Sequence, residues 1–128
     1  MEQTERLYTD FGYEILRGTL LPELLGNEEA DILYWGGKVI ARKYPLETVE
    51  DIQDFFHKAG WGELTILKRK KREMAFELDH PASGEKSFNF QLEAGFLAQQ
   101  LEIQTGKFTE TFIIPKKSQL TFQVHWDK

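Results

Sequence analysis

Histidine is the residue type in this sequence best suited to proton transfer or metal binding near neutral pH, and the chain has three histidines. His57 lies near the end of a predicted helix, where it could act as a ligand; we interpret it as a group that favours the negative helix terminus. His80 falls in a predicted loop, and His125 on the solvent side of a predicted strand. No pair of histidines shows the spacing of a helical metal site, and no acidic cluster has the spacing of a calcium loop, so we predict no metal site.

The residue types and motifs of the chain give little support for other kinds of catalysis. The chain contains no cysteine, which excludes disulfides, thiolate nucleophiles and cysteine-ligated zinc or iron–sulfur sites. It has no Gly-x-Ser-x-Gly elbow, P-loop or dinucleotide fingerprint. Glu93 and Glu102 could be buried acids on a predicted helix, but they point in different directions, and we interpret them as rim or surface groups. We therefore predict no catalytic residue and no enzyme.

The charges of the chain limit the classes of partner that it could bind. A formal net charge of -5 disfavours a nucleic-acid binder, because such proteins usually need a surplus of Lys and Arg. The basic run Lys68–Arg72 could grip a phosphate-rich surface or an acidic partner, but we interpret it as a solvated hairpin that blunts edge-to-edge strand pairing. No apolar run is long enough to span a bilayer, and the N-terminus is polar, so we expect a cytoplasmic protein without a membrane span.

A central helix is the element on which the rest of the predicted fold depends. Within Phe88–Gly106, apolar residues recur at helical spacing on two faces, so the helix must be enclosed by other elements. Its small residues Ala94, Gly95 and Ala98 would let a neighbour approach closely. Gly106 stands where a left-handed cap would end it.

Helices also precede this stretch. Apolar residues at helical spacing in 11–25 predict a first helix, with a break or kink at Pro22 and an end at Gly26. We expect Asn27 to cap a second helix that runs to Lys43. The pair Gly36-Gly37 in the middle of that helix costs roughly 1 kcal/mol per glycine relative to alanine. Close contact with another helix would compensate for that cost.

A third helix and four strands complete the prediction. The helix is capped by Thr48 and ends near Gly60. Apolar and alternating runs predict strands at Leu64–Leu67, Met74–Leu78, Phe108–Ile114 and Leu120–Trp126, with a short additional strand at Ser87–Phe90. In the last strand the alternation places Leu120, Phe122, Val124 and Trp126 in the core and Thr121, Gln123 and His125 outside. The residues 79–84 read as a loop.

These elements predict an α+β fold in which N-terminal helices and a central helix pack on a four-stranded antiparallel sheet. The chain has 128 residues, of which 41% are hydrophobic, so we expect one domain, 1–128, with one core.

Three stretches together carry a resemblance to a known family: Ile32–Arg42, Phe55–Gly62 and Phe90–Ala98. They resemble the YslB-like family of small uncharacterised proteins from Gram-positive bacteria, over nearly the whole chain. More distantly, the Gly-Phe-Leu-Ala helix and its following hairpin are similar to vinyl-4-reductase domains, to small subunits of the TRAPP vesicle-tethering complex and to haem–nitric-oxide-binding domains. The resemblance implies helices on one antiparallel sheet, often an apolar ligand cavity, and frequently dimers.

Departures from those relatives limit what the resemblance implies. Vinyl-4-reductase domains carry cysteines suited to metal or redox chemistry, and TRAPP subunits can carry an acylated cysteine; this chain has no cysteine. His57 could mimic a proximal haem ligand, but the Tyr-x-Ser-x-Arg stretch that would hold the haem propionates is absent. We therefore predict no cofactor.

Two hypotheses of function follow from these residues and from the resemblance. The first is a non-enzymatic binding or scaffold domain that forms a homodimer through an apolar helical face, with the interface candidates Ile32, Tyr34, Trp35, Gly36, Gly37 and Ile40. The alternative is a sensor that holds a small apolar ligand between the helices and the sheet, with the pocket candidates Trp35, Phe56, His57, Phe90 and Phe96. An enzyme would need convergent polar groups, such as a buried pair of His57 with a glutamate in a cleft.

Overall fold

Helices precede and interrupt a four-stranded sheet in the computed structural model, which describes residues 11–80, 88–115 and 119–128. Residues 11–13 are helical. The elements that follow are a π-helix (Glu14–Leu20), α1 (Leu21–Leu25), a 3₁₀ turn (Gly26–Glu28), α2 (Glu29–Lys43), α3 (Val49–Lys58), β1 (Glu63–Arg69), β2 (Glu73–Asp79), α4 (Gln91–Thr105), β3 (Thr109–Pro115) and β4 (Leu120–Trp126). We call residues 11–25 the N-terminal helical segment.

The sheet is antiparallel throughout, with the strand order β1-β2-β4-β3. Its register aligns Phe76, Phe122 and Ile113 across three strands, so these side chains share one face. Helix α4 packs on β3 and β4, and α3 packs against β1. The predicted α+β fold, with helices and a central helix on a four-stranded antiparallel sheet, is confirmed.

Close approach of α2 and α4 depends on glycine in both helices. A Cβ atom at Gly37 would lie 2.6 Å from the backbone nitrogen of Phe96, and one at Gly95 would lie 2.8 Å from the backbone carbonyl carbon of Tyr34. Real Cβ contacts are essentially never that short. The predicted close contact of Gly37 with another helix is confirmed, and the other helix is α4.

The helix boundaries follow the predictions in part. Thr48 caps α3, since its Oγ1 accepts a hydrogen bond from the Asp51 backbone N–H at 3.0 Å. Gly106 ends α4 with φ +73°, as predicted. The predicted Asn27 cap is wrong, because a 3₁₀ turn continues the chain into α2 and no side chain caps that helix.

The chain is not interrupted at Pro22. A π-type hydrogen bond from the Leu21 N–H to the Leu16 carbonyl closes the π-helix, and the winding becomes α-helical at Leu21. Pro22 therefore falls in the first turn of α1, where its missing N–H is tolerated. The predicted break is a change of helix type, and α1 ends at Leu25, just before Gly26.

The alternation predicted for β4 holds for Leu120, Phe122 and Val124, which are buried in the core. Trp126 is half-buried at the end of the strand and packs against that core. Thr121 is buried as well, against the prediction, since the longer residues Glu77 of β2 and Ile114 of β3 are paired with it on either side. No strand forms at residues 88–90; Ser87 and most of the predicted 79–84 loop lie outside the described residues.

Candidate functional site

The N-terminal helical segment presents apolar side chains to solvent. In the π-helix and α1, Arg17 alone is buried. On the segment and the adjoining α2, large apolar side chains are 40–67% exposed: Phe11, Ile15, Leu16, Leu20, Leu24, Ile32 and Trp35. Single exposed apolar residues are ordinary, but a helix that buries its cation and exposes its apolar side chains is the reverse of a normal surface helix. We call these seven residues the apolar face.

Beneath the apolar face, a buried ion pair joins the segment to α4. Arg17 donates from Nη2 to Glu93 Oε1 at 2.7 Å, with the two side chains 4% and 0% exposed. Arg17 Nη2 also donates to the Asn89 carbonyl at 3.0 Å. The Tyr13 hydroxyl donates to the other oxygen, Glu93 Oε2, at 2.9 Å. The guanidinium lies 5.1 Å from the Tyr13 ring centroid, which adds a cation–π contact.

This network perturbs the groups around it. Burial raises the pKa of Tyr13 far above its usual range, and the Glu93 carboxylate raises it further. Burial acts to lower the pKa of Arg17, but Glu93 more than offsets that and the net direction is upward. Burial also raises the pKa of Glu29 at the start of α2, while Arg17 opposes the rise. Glu93 therefore stabilises the buried Arg17 charge, and both Glu93 oxygens are engaged by protein groups.

The interpretation of Glu93 as a rim or surface group is wrong, because the acid is enclosed between α4 and the N-terminal helical segment. One signal in the sequence pointed to this outcome: Glu93 sits between apolar residues on a helix that is apolar on two faces. Arg17 likewise interrupts the apolar pattern of the first helix. Each charge alone resembles a surface residue, and only the fold brings together two positions 76 residues apart.

The six predicted interface residues divide into two groups. Gly37 is buried against α4, and Gly36 faces the Leu92 side chain. Ile40 packs on the core. The Tyr34 hydroxyl accepts a hydrogen bond from the Thr111 N–H at 3.1 Å. These four make contacts within the chain, and Gly37 is the one whose missing side chain lets α2 approach α4 closely. Ile32 and Trp35 are exposed and belong to the apolar face.

The predicted pocket residues are spread over three environments. Phe56 and Phe96 are fully buried, with ring centroids 5.9 Å apart, and Phe90 packs against Phe88 at 5.0 Å. A ligand at any of these three rings would have to displace protein rings. Trp35 lines a shallow cleft of about 240 Å³ on the surface, shared with Tyr34, Lys38, Gln91, Ala30 and Asp31.

His57 is also at the surface, where its Nδ1 lies 2.5 Å from Glu63 Oε2, with both side chains about two-thirds exposed. It belongs to the last turn of α3, which fits the interpretation based on the helix terminus. The buried pair in a cleft that an enzyme would need is not formed by His57. Within the described ranges, no group of three or more acidic or histidine side chains could hold a metal ion, and no helix could cross a membrane.

A second surface feature lies at the opposite end of α4. A cleft of about 530 Å³ is lined by Lys71, Arg72, Thr105, Lys107, Trp126, Asp127 and Lys128. The sequence pattern singled out the first two only as part of the basic run Lys68–Arg72. The fold adds Lys107 and Lys128, which are distant from that run in the chain.

The sequence of this chain is similar to those of known proteins. The family described as "protein of unknown function (DUF2507)" matches residues 10–125. The uncharacterised protein YslB of Bacillus subtilis (strain 168) is 40% identical over 124 residues, which cover 91% of this chain and 84% of YslB. The resemblance to the YslB-like family, drawn from three stretches of sequence, is confirmed.

A solved structure shares the fold. A vinyl-4-reductase family protein from Methanocaldococcus jannaschii superposes with a TM-score of 0.56 and 18% identity, over 100% of this chain and 82% of that protein. At that identity the likeness concerns the fold alone. It confirms the predicted distant similarity to vinyl-4-reductase domains.

Proposed function

The chain belongs to the DUF2507 family of proteins of unknown function, and we propose that it is a non-enzymatic binding or scaffold domain that works as a homodimer. The observation that supports the proposal is the apolar face. Leu24, Trp35 and Phe11 are each at least 64% exposed. Several large apolar side chains exposed on one segment and the adjoining helix are a feature of interaction sites in soluble proteins.

A second copy of the chain is the occupant that fits this surface. The apolar face lies on helices, and isologous packing of helices about a two-fold axis is the commonest way in which identical chains associate. In this arrangement Leu20 and Leu24 of one copy meet the same face of the other. The cleft beside Trp35 is large enough to receive a side chain from the partner.

The buried polar groups support a role other than catalysis. Glu93 is fully buried and both of its oxygens accept hydrogen bonds from protein groups, so it is poorly placed to take a proton from a substrate. The Arg17–Glu93 pair instead fixes how the N-terminal helical segment lies on α4. That would give the apolar face one defined shape for its partner.

Sedimentation equilibrium of the wild type and of Leu24→Asp tests the proposal. A carboxylate in an apolar interface should raise the dimer dissociation constant about 30-fold or more, the size of an interface hot spot. Phe112→Asp is the matched control, because Phe112 is 54% exposed but lies on the sheet. It should leave the dissociation constant unchanged.

Two results would overturn the proposal. A wild type that sediments as a monomer at millimolar concentration has no dimer of this kind. A dimer that dissociates in Phe112→Asp and persists in Leu24→Asp uses the sheet rather than the apolar face. Thermal unfolding of both variants checks that their monomers remain folded.

A further inference from the structure

The cleft at the C-terminal end of α4 concentrates positive charge on an acidic chain. Lys71, Arg72, Lys107 and Lys128 line it with a single acid, Asp127. Counted on side chains alone, four cations and one anion give a formal local charge of +3, against -5 for the whole chain. Like charges held this close together repel each other, and a bound anion relieves that repulsion.

Three cationic side chains of the cleft have no ion-pair partner among the described residues. Among the described residues, the ion pairs of this region use other groups: Glu73 pairs with Lys68 at 3.7 Å and with His125 at 3.5 Å, and Arg69 pairs with Glu50. None of Lys71, Arg72 and Lys107 takes part in a described ion pair. Lys107 follows the last residue of α4 by two positions, where a positive charge opposes the negative end of the helix dipole.

Backbone hydrogen bonds fix the walls of the cleft relative to one another. The Trp126 N–H donates to the Arg72 carbonyl at 3.0 Å, which ties the end of β4 to the β1–β2 turn. The Asp127 N–H donates to the Phe108 carbonyl at 3.1 Å, which ties β4 to the turn after α4. Thr109 Oγ1 donates to the Lys107 carbonyl at 2.8 Å within that turn. The cleft is therefore formed before any ligand arrives.

The half-buried Trp126 supplies the apolar lining. Indole rings offer a flat surface on which aromatic molecules stack, and the cations around it are suited to carboxylate or phosphate. A volume of about 530 Å³ lies in the range typical of small-molecule sites. We propose that this cleft binds a small aromatic anion, with its ring on Trp126 and its charged group among Lys71, Arg72 and Lys107.

NMR titration with 1-naphthyl phosphate tests the proposal, with the uncharged 1-naphthol as its comparison. The chain has three tryptophans, so the indole N–H signals can be assigned with Trp35→Phe and Trp126→Phe. We expect the Trp126 signal to shift on titration, and the Trp35 signal on the apolar face to stay in place. The phosphate should bind at least tenfold more tightly than the naphthol.

Charge variants sharpen the test. Removal of one exposed charge should weaken 1-naphthyl phosphate binding about threefold, so Arg72→Gln with Lys107→Gln should weaken it about tenfold. Lys70→Gln is the matched control, since Lys70 belongs to the same basic run but does not line the cleft. It should change the dissociation constant by less than about twofold.

The proposal fails if the Trp126 signal does not move at 10 mM probe, or if the Trp35 signal moves instead. It also fails if 1-naphthol binds as tightly as the phosphate, or if the double variant retains wild-type affinity. These results are independent of the oligomeric state and so leave the proposed dimer untouched.

Discussion

The N-terminal helical segment and α4 are both helical, but they place charge and apolar side chains in opposite ways. In α4 most residues are buried, and its apolar side chains meet α2 on one side and the sheet on the other. In the π-helix and α1, an arginine is buried, whereas Leu16, Leu20 and Leu24 are exposed. The apolar side chains of α4 are therefore mostly covered by the same chain, whereas the segment leaves large apolar side chains exposed.

A polar contact joins the two regions. Arg17 of the segment and Glu93 of α4 form the one ion pair in the described residues whose two side chains are both buried. A buried pair contributes little net stability compared with apolar packing, but it is costly to break on one side only. The pair therefore specifies one orientation of the N-terminal helical segment on α4.

Breaking that ion pair should have the largest effect on the free energy of unfolding. Glu93→Leu leaves the Arg17 charge buried without its partner, so we expect a loss of about 3–5 kcal/mol in the free energy of unfolding. The double variant Arg17→Met with Glu93→Leu removes both charges, and should return to within about 1 kcal/mol of the wild type. Urea unfolding of the wild type, of both single variants and of the double variant measures this cycle. A loss below about 1 kcal/mol for Glu93→Leu would show that Arg17 escapes to water.

A glycine-to-alanine substitution in each region tests how closely each helix is enclosed. Gly95→Ala places a Cβ against the Tyr34 backbone, which forces α2 and α4 apart, so we expect a loss of about 3 kcal/mol or more. Gly12→Ala in the N-terminal helical segment has open space around it and should stabilise the protein by about 0.5 kcal/mol. Equal effects in denaturant unfolding would mean that the two helices are equally enclosed.

A further predicted effect appears only at alkaline pH. Burial raises the pKa of Tyr13 in the folded state, so stability is complete below the unfolded pKa of about 10 and is lost as the pH rises above it. Tyr13→Phe should remove about 1.4 kcal/mol per pH unit from the slope of unfolding free energy above pH 10. Urea unfolding at pH 9, 10, 10.5 and 11 measures the slope.

Tyr34 provides the control for that measurement, because burial raises its pKa as well. Tyr34→Phe added to Tyr13→Phe should reduce the slope further. An unchanged slope in Tyr13→Phe would show that the Tyr13 hydroxyl ionises freely in the folded protein.

Local patterns were enough to predict most of the elements. The alternation of Leu120, Phe122 and Val124 predicted the inner face of β4, because side chains of a strand alternate whatever lies beside them. Thr48 predicted the start of α3 for the same kind of reason: its cap needs only the next three residues. The glycines in α2 predicted a close helix contact, although the pattern did not say with which helix.

Site residues were harder to predict, because their roles depend on what covers them. Trp35, Phe56 and Phe96 are all large and apolar, and on that basis they were predicted to line one pocket. In the structure Phe56 and Phe96 are core, whereas Trp35 lies on the surface. A helical pattern gives the spacing of a face, but it does not say whether that face meets the same chain, another chain or water.

The α+β class, the central helix, the strands and the family could all be read from the order of residues, since each depends on residues near in sequence or on overall similarity. Three pairings could not: Arg17 meets Glu93, Gly37 serves α4 rather than a partner, and Lys107 joins Lys71 and Arg72 around Trp126. These pairings bring together residues far apart in the chain. Propensity and periodicity act over a few residues, and only the packed fold sets contacts over longer separations.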